Sequence, residues 1–107
     1  MPTHDPVLQQ RLDELKDSFR EQIGERIAAL SEQIECLRSG PEGEHANALA
    51  EILHLSHKLS GTASTFGFAE VGDAAAAIEI VCEGHPSVAE IEPLFETLRA
   101  AAPAATA

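Results

Sequence analysis

Residues 49–68, which read LAEILHLSHKLSGTASTFGF, decide the fold class of this chain. Apolar side chains recur every three or four positions in this stretch, which is the period of one face of an α-helix. The apolar positions are Leu49, Ile52, Leu55, Leu59, Ala63 and Phe66. Gly67 follows directly, and glycine readily adopts the left-handed backbone that ends many helices. The pattern therefore predicts an amphipathic helix from about Gly43 to Phe66.

A long apolar stripe precedes this helix in the first third of the chain. Asp5 followed by Pro6 is a typical helix start, because an aspartate side chain caps free amides and proline needs no amide partner in the first turn. Ser18 with Glu21 three residues later forms a second start signal, the capping box. The sequence thus allows two interpretations of residues 1–17, a separate N-terminal arm or an extension of the first helix.

Two further helical segments follow the quoted stretch. The first spans about Ala69 to Glu83, and its many alanines indicate that it packs closely against a neighbour. The second carries a capping-box pattern at Ser87 and Glu90. Pro93 lies inside this second segment and indicates either a bend or a regular helix that begins at the proline.

Four amphipathic segments with short connections bury their apolar stripes best as antiparallel neighbours. We therefore predict an all-α protein, an up-down-up-down four-helix bundle over residues 18–101. An N-terminal helical arm precedes the bundle, and residues 102–107 form a flexible tail. A chain of 107 residues is long enough for one such domain and no more.

The formal net charge of −11 restricts the partners. Nucleic acids and anionic membrane surfaces both require a basic protein face, and no apolar run approaches the length that spans a bilayer. The two cysteines, Cys36 and Cys82, and the lack of a leader pattern favour the reducing cytoplasm, where we interpret both as buried small hydrophobic side chains. We expect a monomer whose partners are other proteins.

His57 points away from the apolar stripe of the quoted helix. At 100° per residue its ring lies roughly 150° from the stripe, so it faces solvent. Gly61 lies one turn later, although a glycine within a helix costs about 1 kcal/mol relative to alanine. The missing side chain gives another protein close access to the imidazole, and the small residues Ser60 and Ser64 widen the same opening.

No acidic residue occurs between Ile52 and Phe68, whereas the whole chain has eighteen. His54 and Lys58 accompany His57 in this acid-free stretch, so the local field tolerates an anion. An exposed imidazole is largely neutral in the cytoplasm, and its free ring nitrogen is a nucleophile. Phosphorus is a suitable electrophile for it.

The second half of the predicted helix resembles the core motif of histidine phosphotransfer (HPt) domains, through His57, Leu59, Gly61, Ala63 and Gly67. Its ending is also similar to that of the phosphotransfer domain of chemotaxis histidine kinases, and the next helix suits the family at Val71, Ala75 and Glu79. The resemblance extends over about residues 19–100. It implies a four-helix bundle that exposes its histidine.

The resemblance also implies a phosphoryl carrier rather than an enzyme. His57 would accept a phosphoryl group from a receiver aspartate, or from a histidine kinase or hybrid kinase, and pass it to a response-regulator receiver domain. The sequence has no glycine-rich phosphate loop for ATP, and the resemblance implies no cofactor, since any Mg²⁺ belongs to the receiver. Many members have a lysine three residues after the histidine. Here Ser60 takes that place, so we assign the adjacent Lys58 a supporting role.

Two alternatives accompany this interpretation. His54 lies three residues before His57, so the pair is a candidate metal site and His54 an alternative acceptor. A metal site needs two further ligands, and no second close pair of histidines or cysteines occurs, so the sequence favours neither. The alternative function is that of an adaptor or inhibitor that docks a receiver or kinase without being phosphorylated.

Overall fold

Residues 5–103, the part of the chain that the computed structural model describes, form four α-helices. α1 spans Pro6–Ser39, α2 His45–Thr65, α3 Ala69–Cys82 and α4 Val88–Ala101, and a 3₁₀ turn at Glu42–Glu44 leads into α2. No strand occurs in the described chain, which confirms the predicted all-α fold. Consecutive helices are packed neighbours and α4 also contacts α1, so the four helices close a bundle. Within residues 5–103, none of the helices combines the length and the apolar character that a membrane crossing requires.

α1 is one unbroken helix of 34 residues. It begins where the sequence predicts, because Oδ1 of Asp5 accepts hydrogen bonds from the amides of Val7 at 3.0 Å and Leu8 at 3.4 Å. The second start signal at Ser18 does not interrupt the helix. The N-terminal arm is therefore the first part of α1, although residues 1–4 of the predicted arm lie outside the described residues.

A left-handed glycine fixes the end of α2. Gly67 has a φ of 83°. The amide of Phe68 donates to the Ala63 carbonyl at 2.8 Å, and the amide of Gly67 donates to the Ser64 carbonyl at 3.3 Å. These two bonds form the Schellman arrangement, which satisfies the last carbonyls of a helix and reverses the chain. The ring of Phe68 then lies against that of Phe19 in α1, with centroids 5.8 Å apart, so the turn is tied to α1.

α2 and α3 approach each other closely because α3 presents small side chains. Gly72, Ala74 and Ala75 are all buried. A Cβ atom added at Gly72 would lie 2.8 Å from the Ser64 Oγ atom and 3.3 Å from the Ser60 carbonyl oxygen. The close contact indicated by the alanines is therefore present, and side chains from the two helices can reach each other across it.

α4 continues through Pro93. The Glu90 carboxylate accepts a hydrogen bond from the amide of Ser87 at 3.3 Å, which fixes the start of the helix ahead of the proline. Pro93 itself is exposed, so its ring does not disturb the core. Of the predicted tail over residues 102–107, only the first two residues lie among those that the structure describes.

The core is formed by the inward faces of all four helices. Its largest fully buried aliphatic side chains include Ile23, Leu30, Ile34, Ile52, Leu59, Ile78, Ile91 and Leu98. Cys82 is buried among them, whereas Cys36 is only half-buried, and both are free thiols. Burial raises the pKa of the Cys82 thiol, so this side chain stays protonated and acts as a small hydrophobic residue.

Ser56 is a polar residue in this core. Its side chain is fully buried, and its hydroxyl oxygen has no hydrogen-bond partner within residues 5–103. An unpaired buried hydroxyl costs about 1–3 kcal/mol, and serine also forms helix less well than alanine. We predict that Ser56→Ala raises the free energy of unfolding by about 1–2 kcal/mol, measured by urea denaturation.

Ser31→Ala is the matched control, because Ser31 is an exposed residue inside α1. It should gain helix propensity alone, about 0.5 kcal/mol. If Ser56→Ala gains no more than this control, the cost assigned to the buried hydroxyl is wrong.

Candidate functional site

His57 lies in the second half of α2, on the face turned away from the core. Its side chain is 72% exposed, which confirms the orientation expected from its helical phase. The nearby Ser56 and Leu59 are fully buried, so packing fixes the rotation of α2 about its axis. The imidazole is therefore held at the surface of the bundle.

A side chain of α3 forms a hydrogen bond with one ring nitrogen of His57. The Nδ1 atom lies 2.7 Å from Oε2 of Glu79, whose side chain is 24% exposed. A carboxylate has no proton to donate, so Nδ1 carries the proton and donates it. In the neutral ring, the Nε2 atom then has the free lone pair. Glu79 thus selects the tautomer whose nucleophilic nitrogen lies away from α3.

An open trough runs along α2 beside this ring. It is lined by His57, Lys58, Gly61, Thr62, Thr65 and Phe66. Apart from the adjacent residues and the backbone of α2 itself, no atom lies within 4 Å of the position that a Cβ would occupy on Gly61, so packing within the chain does not require glycine there. The hydroxyls of Thr62 and Thr65 donate to the carbonyls of Lys58 and Gly61, at 2.9 and 3.0 Å. The trough is therefore shallow, and a partner surface can approach the imidazole along it.

Lys58 and His54 both lie on the exposed side of α2. Lys58 lines the trough beside His57, where its flexible stem can bring the ammonium to an anion on the ring. His54 is exposed one turn earlier and does not line the trough. In the described part of the chain, no group of three or more histidine, cysteine or acidic side chains could hold a metal ion.

Ser60 and Ser64 lie on the other side of the ring. Both border α3 at Gly72, as the short distances from that glycine show, and neither lines the trough. The expectation that the two serines widen the opening beside Gly61 is therefore wrong. The Ser64 hydroxyl and the backbone carbonyl of Ser60 instead lie against Gly72 of α3, where the two helices approach closely.

Glu79 is the residue of the site to which the sequence assigned no role. Nothing in its local spacing indicates one, but the register of the helical hairpin does. His57 and Glu79 are equally distant in sequence from Phe68 at the turn, and so are Ser64 and Gly72. In an antiparallel pair, residues related in this way lie at the same level. The stretch of α2 around His57 thus contains no acidic residue, but α3 places Glu79 opposite the ring.

The chain also matches a known protein family. The family model described as Hpt domain covers residues 14–107, which include all of α2, α3 and α4, most of α1 and both members of the His57–Glu79 pair. Comparisons with curated proteins and with solved structures give no match. Hpt domains are phosphocarriers that work on a histidine in phosphorelays and have no ATP site of their own. On the family match and the exposed histidine of its second helix, the chain belongs to the Hpt domain family.

Proposed function

We propose that this protein accepts a phosphoryl group on the Nε2 atom of His57 and passes it between proteins of a two-component phosphorelay. The His57–Glu79 hydrogen bond carries the proposal, because it leaves Nε2 unprotonated on an exposed ring beside the bare backbone of Gly61. The donor is an aspartyl phosphate on a receiver domain, or a histidine kinase or hybrid kinase. The acceptor is the receiver domain of a response regulator.

The transfer balances without any proton movement. The Nε2 lone pair attacks phosphorus, the bond from phosphorus to the donor's aspartate oxygen breaks, and the aspartate leaves as a carboxylate. Because Nδ1 keeps its proton, the phosphorylated ring of His57 has a positive charge. The Glu79 carboxylate, 2.7 Å from Nδ1, stabilises that charge. The same steps in reverse transfer the phosphoryl group from His57 to the next receiver.

The other residues around the ring have separate roles in the proposed transfer. Lys58 lines the trough and supplies the cation that attracts the phosphoryl oxygens. Gly61 provides the clearance for the partner. We assign His54, Ser60 and Ser64 to the rim that the partner touches. Ser60 has no charge at the position where many members have a lysine, so the cation comes from Lys58 instead.

In this proposal the chain is a carrier, not an enzyme. The ATP site belongs to the kinase, and the Mg²⁺ ion that the transfer needs belongs to the receiver. The chain itself requires no cofactor. We propose the cytoplasm as its compartment, and the two free cysteines support this.

Incubation with receiver domains charged by acetyl phosphate tests the proposal. We expect radioactive phosphate to move to this chain and to show the acid-labile, base-stable behaviour of a phosphorus–nitrogen bond. Calorimetric titration with the same receivers measures binding separately. A chain that binds receivers but never takes label is the non-phosphorylated adaptor or inhibitor, and the carrier proposal then fails.

We predict that Glu79→Ala slows phosphoryl acceptance about 10- to 100-fold, by analogy with carboxylates that orient metal-bound histidines, whose loss has effects of this size. Without it, the proton of His57 is no longer confined to Nδ1. Glu79→Gln should restore most of the rate, because an amide oxygen also accepts from Nδ1. Single-turnover transfer gives the rates, and the ¹⁵N shifts of the ring report the tautomer. An unchanged rate in Glu79→Ala removes this positioning role.

A further inference from the structure

Arg26 of α1 contacts the aromatic rings that border the trough. The Cζ atom of its guanidinium lies 5.6 Å from the centroid of the Phe19 ring. Phe19 stacks in turn on Phe66, with centroids 5.4 Å apart, and Phe66 lines the trough beside His57. Gln33, seven residues after Arg26 and therefore on the same face of α1, lines a cavity together with residues of α2. Arg26 thus projects from the side of α1 that faces α2.

Arg26 also lies close to His57 along the length of the bundle. α1 and α2 are antiparallel, and the stack of Phe19 on Phe66 fixes their register. Arg26 is seven residues after Phe19, so it lies level with Leu59, which is seven residues before Phe66. Leu59 is about 3 Å of helix from His57, and packed helices lie about 8–10 Å apart. The axis of α1 at Arg26 is therefore about 10 Å from the axis of α2 at His57.

The size of a typical interface decides whether Arg26 can take part in docking. A stable interface covers about 800 Å² of each partner, which as a disc has a radius of about 16 Å. A partner centred on His57 therefore extends beyond Arg26, which is only about 10 Å away. Arg26 thus lies within the area that such a partner covers.

Arg26 and Lys58 are cations without an acidic partner. Among the described residues, neither has a carboxylate oxygen within 4.0 Å, whereas three other arginines each pair with a carboxylate. The guanidinium of Arg26 donates to the side-chain oxygen of Gln22 at 3.3 Å. Lys58 lines the trough from α2, and Arg26 borders it from α1. Two unpaired positive charges therefore flank the trough of a chain whose net charge is −11.

The proposed receiver is acidic where it meets His57. Its acceptor group is an aspartate, and carboxylates beside it hold the Mg²⁺ ion that transfer requires. A chain with a net charge of −11 repels such a surface except where it presents cations. A guanidinium can offer two parallel donors to one carboxylate, and it is charged at any physiological pH. Arg26 therefore suits a carboxylate at the edge of the acceptor site.

We propose that Arg26 is a docking residue for the receiver domain, and that its guanidinium binds a carboxylate at the edge of the receiver's acceptor site. This inference rests on the proposed function, since it needs a receiver seated over His57. Lys58 attracts the phosphoryl oxygens, whereas Arg26 does not touch the reacting atoms. Arg26 instead positions the receiver over the imidazole. Its loss should therefore weaken binding and leave the transfer step intact once the receiver is bound.

Single-turnover transfer at increasing concentrations of a charged receiver tests the docking role. In Arg26→Gln, the receiver concentration that gives half the maximal rate should rise about three- to tenfold, and the maximal rate should stay within about twofold. Arg26→Lys should recover part of the loss, because an ammonium keeps the charge but not the paired donors. Added salt should weaken docking of the wild-type chain more than that of Arg26→Gln.

Arg99→Gln is the matched control. The Arg99 guanidinium also lies over a phenyl ring, 5.8 Å from the centroid of Phe95, but it belongs to α4, which makes no contact with α2 within residues 5–103. This substitution removes the same charge and a similar ring contact, so half-saturation should stay unchanged. An equal rise in both variants overturns the proposal, because net charge alone then explains it.

Two other results overturn the docking role and leave the carrier function standing. They are an unchanged half-saturation in Arg26→Gln and a lower maximal rate alone. A wild-type chain that takes no label contradicts the proposed function instead. Calorimetric titration of the receiver with the same variants then measures docking without transfer. Weaker binding by Arg26→Gln than by Arg99→Gln supports the contact, and equal binding overturns it.

Discussion

His57→Gln is expected to reduce phosphoryl acceptance from a labelled receiver to background. Glutamine has no nitrogen lone pair that can form the bond to phosphorus, so the reaction loses its nucleophile rather than part of its rate. Because the side chain is 72% exposed, the bundle should keep its helicity and its free energy of unfolding within about 0.5 kcal/mol. Autoradiography and urea denaturation of the same preparation measure both quantities.

His54→Gln is the comparison for this experiment, because His54 is the other exposed histidine of α2 in the acid-free stretch. We expect it to retain label on His57. Transfer that persists in His57→Gln, or that disappears only in His54→Gln, would assign the phosphoryl group to a different residue.

The second large effect is expected at Gly61. Gly61→Gln should slow transfer about 100-fold, because a side chain in the trough displaces the partner from the imidazole, and a misplacement of about 1 Å has effects of this size. Outside the adjacent residues and the backbone of α2 itself, no atom lies within 4 Å of the new Cβ, so the substitution should stabilise the helix by about 0.5–1 kcal/mol. Transfer and stability would then change in opposite directions.

Gly24→Gln is the matched control. Gly24 is also an exposed glycine inside a helix, and the position of its Cβ is equally free of atoms from the rest of the chain. It belongs to α1 and does not line the trough. It should show the same gain in stability with an unchanged transfer rate. Equal transfer rates in the two variants would show that Gly61 has no special part in access.

Most of the fold was predictable because its signals are local. The start of α1 and the end of α2 follow from Asp5 and Gly67, whose side-chain and backbone properties act on the nearest turn. Two points were not predictable from such signals. The sequence offered a second start at Ser18 and a choice at Pro93, and in both cases the observed helix is the longer one. Competing start signals differ by small energies. At Ser18 the helix is continuous with an earlier start that Asp5 caps, and good helix formers fill the residues between the two. At Pro93 the helix is continuous with the capping box that Ser87 and Glu90 form.

The candidate site was likewise predictable only in part. The exposure of His57 and the clearance at Gly61 follow from helical phase within α2, and both agree with the structure. The places of Ser60 and Ser64, and the contact of Glu79, depend on which neighbour packs against α2 and in what register. Phase within one helix contains no information about that neighbour. The symmetry of the hairpin about Phe68 supplies it.

The position of the phosphoryl group on the ring tests the central claim most directly. After transfer from a charged receiver, ³¹P spectra and long-range ¹H–¹⁵N correlations of the ¹⁵N-labelled chain identify the nitrogen that is bonded to phosphorus. We expect the Nε2 atom of His57, with Nδ1 still protonated and bonded to Glu79. Phosphorylation at Nδ1, on any other residue, or on none would contradict the account.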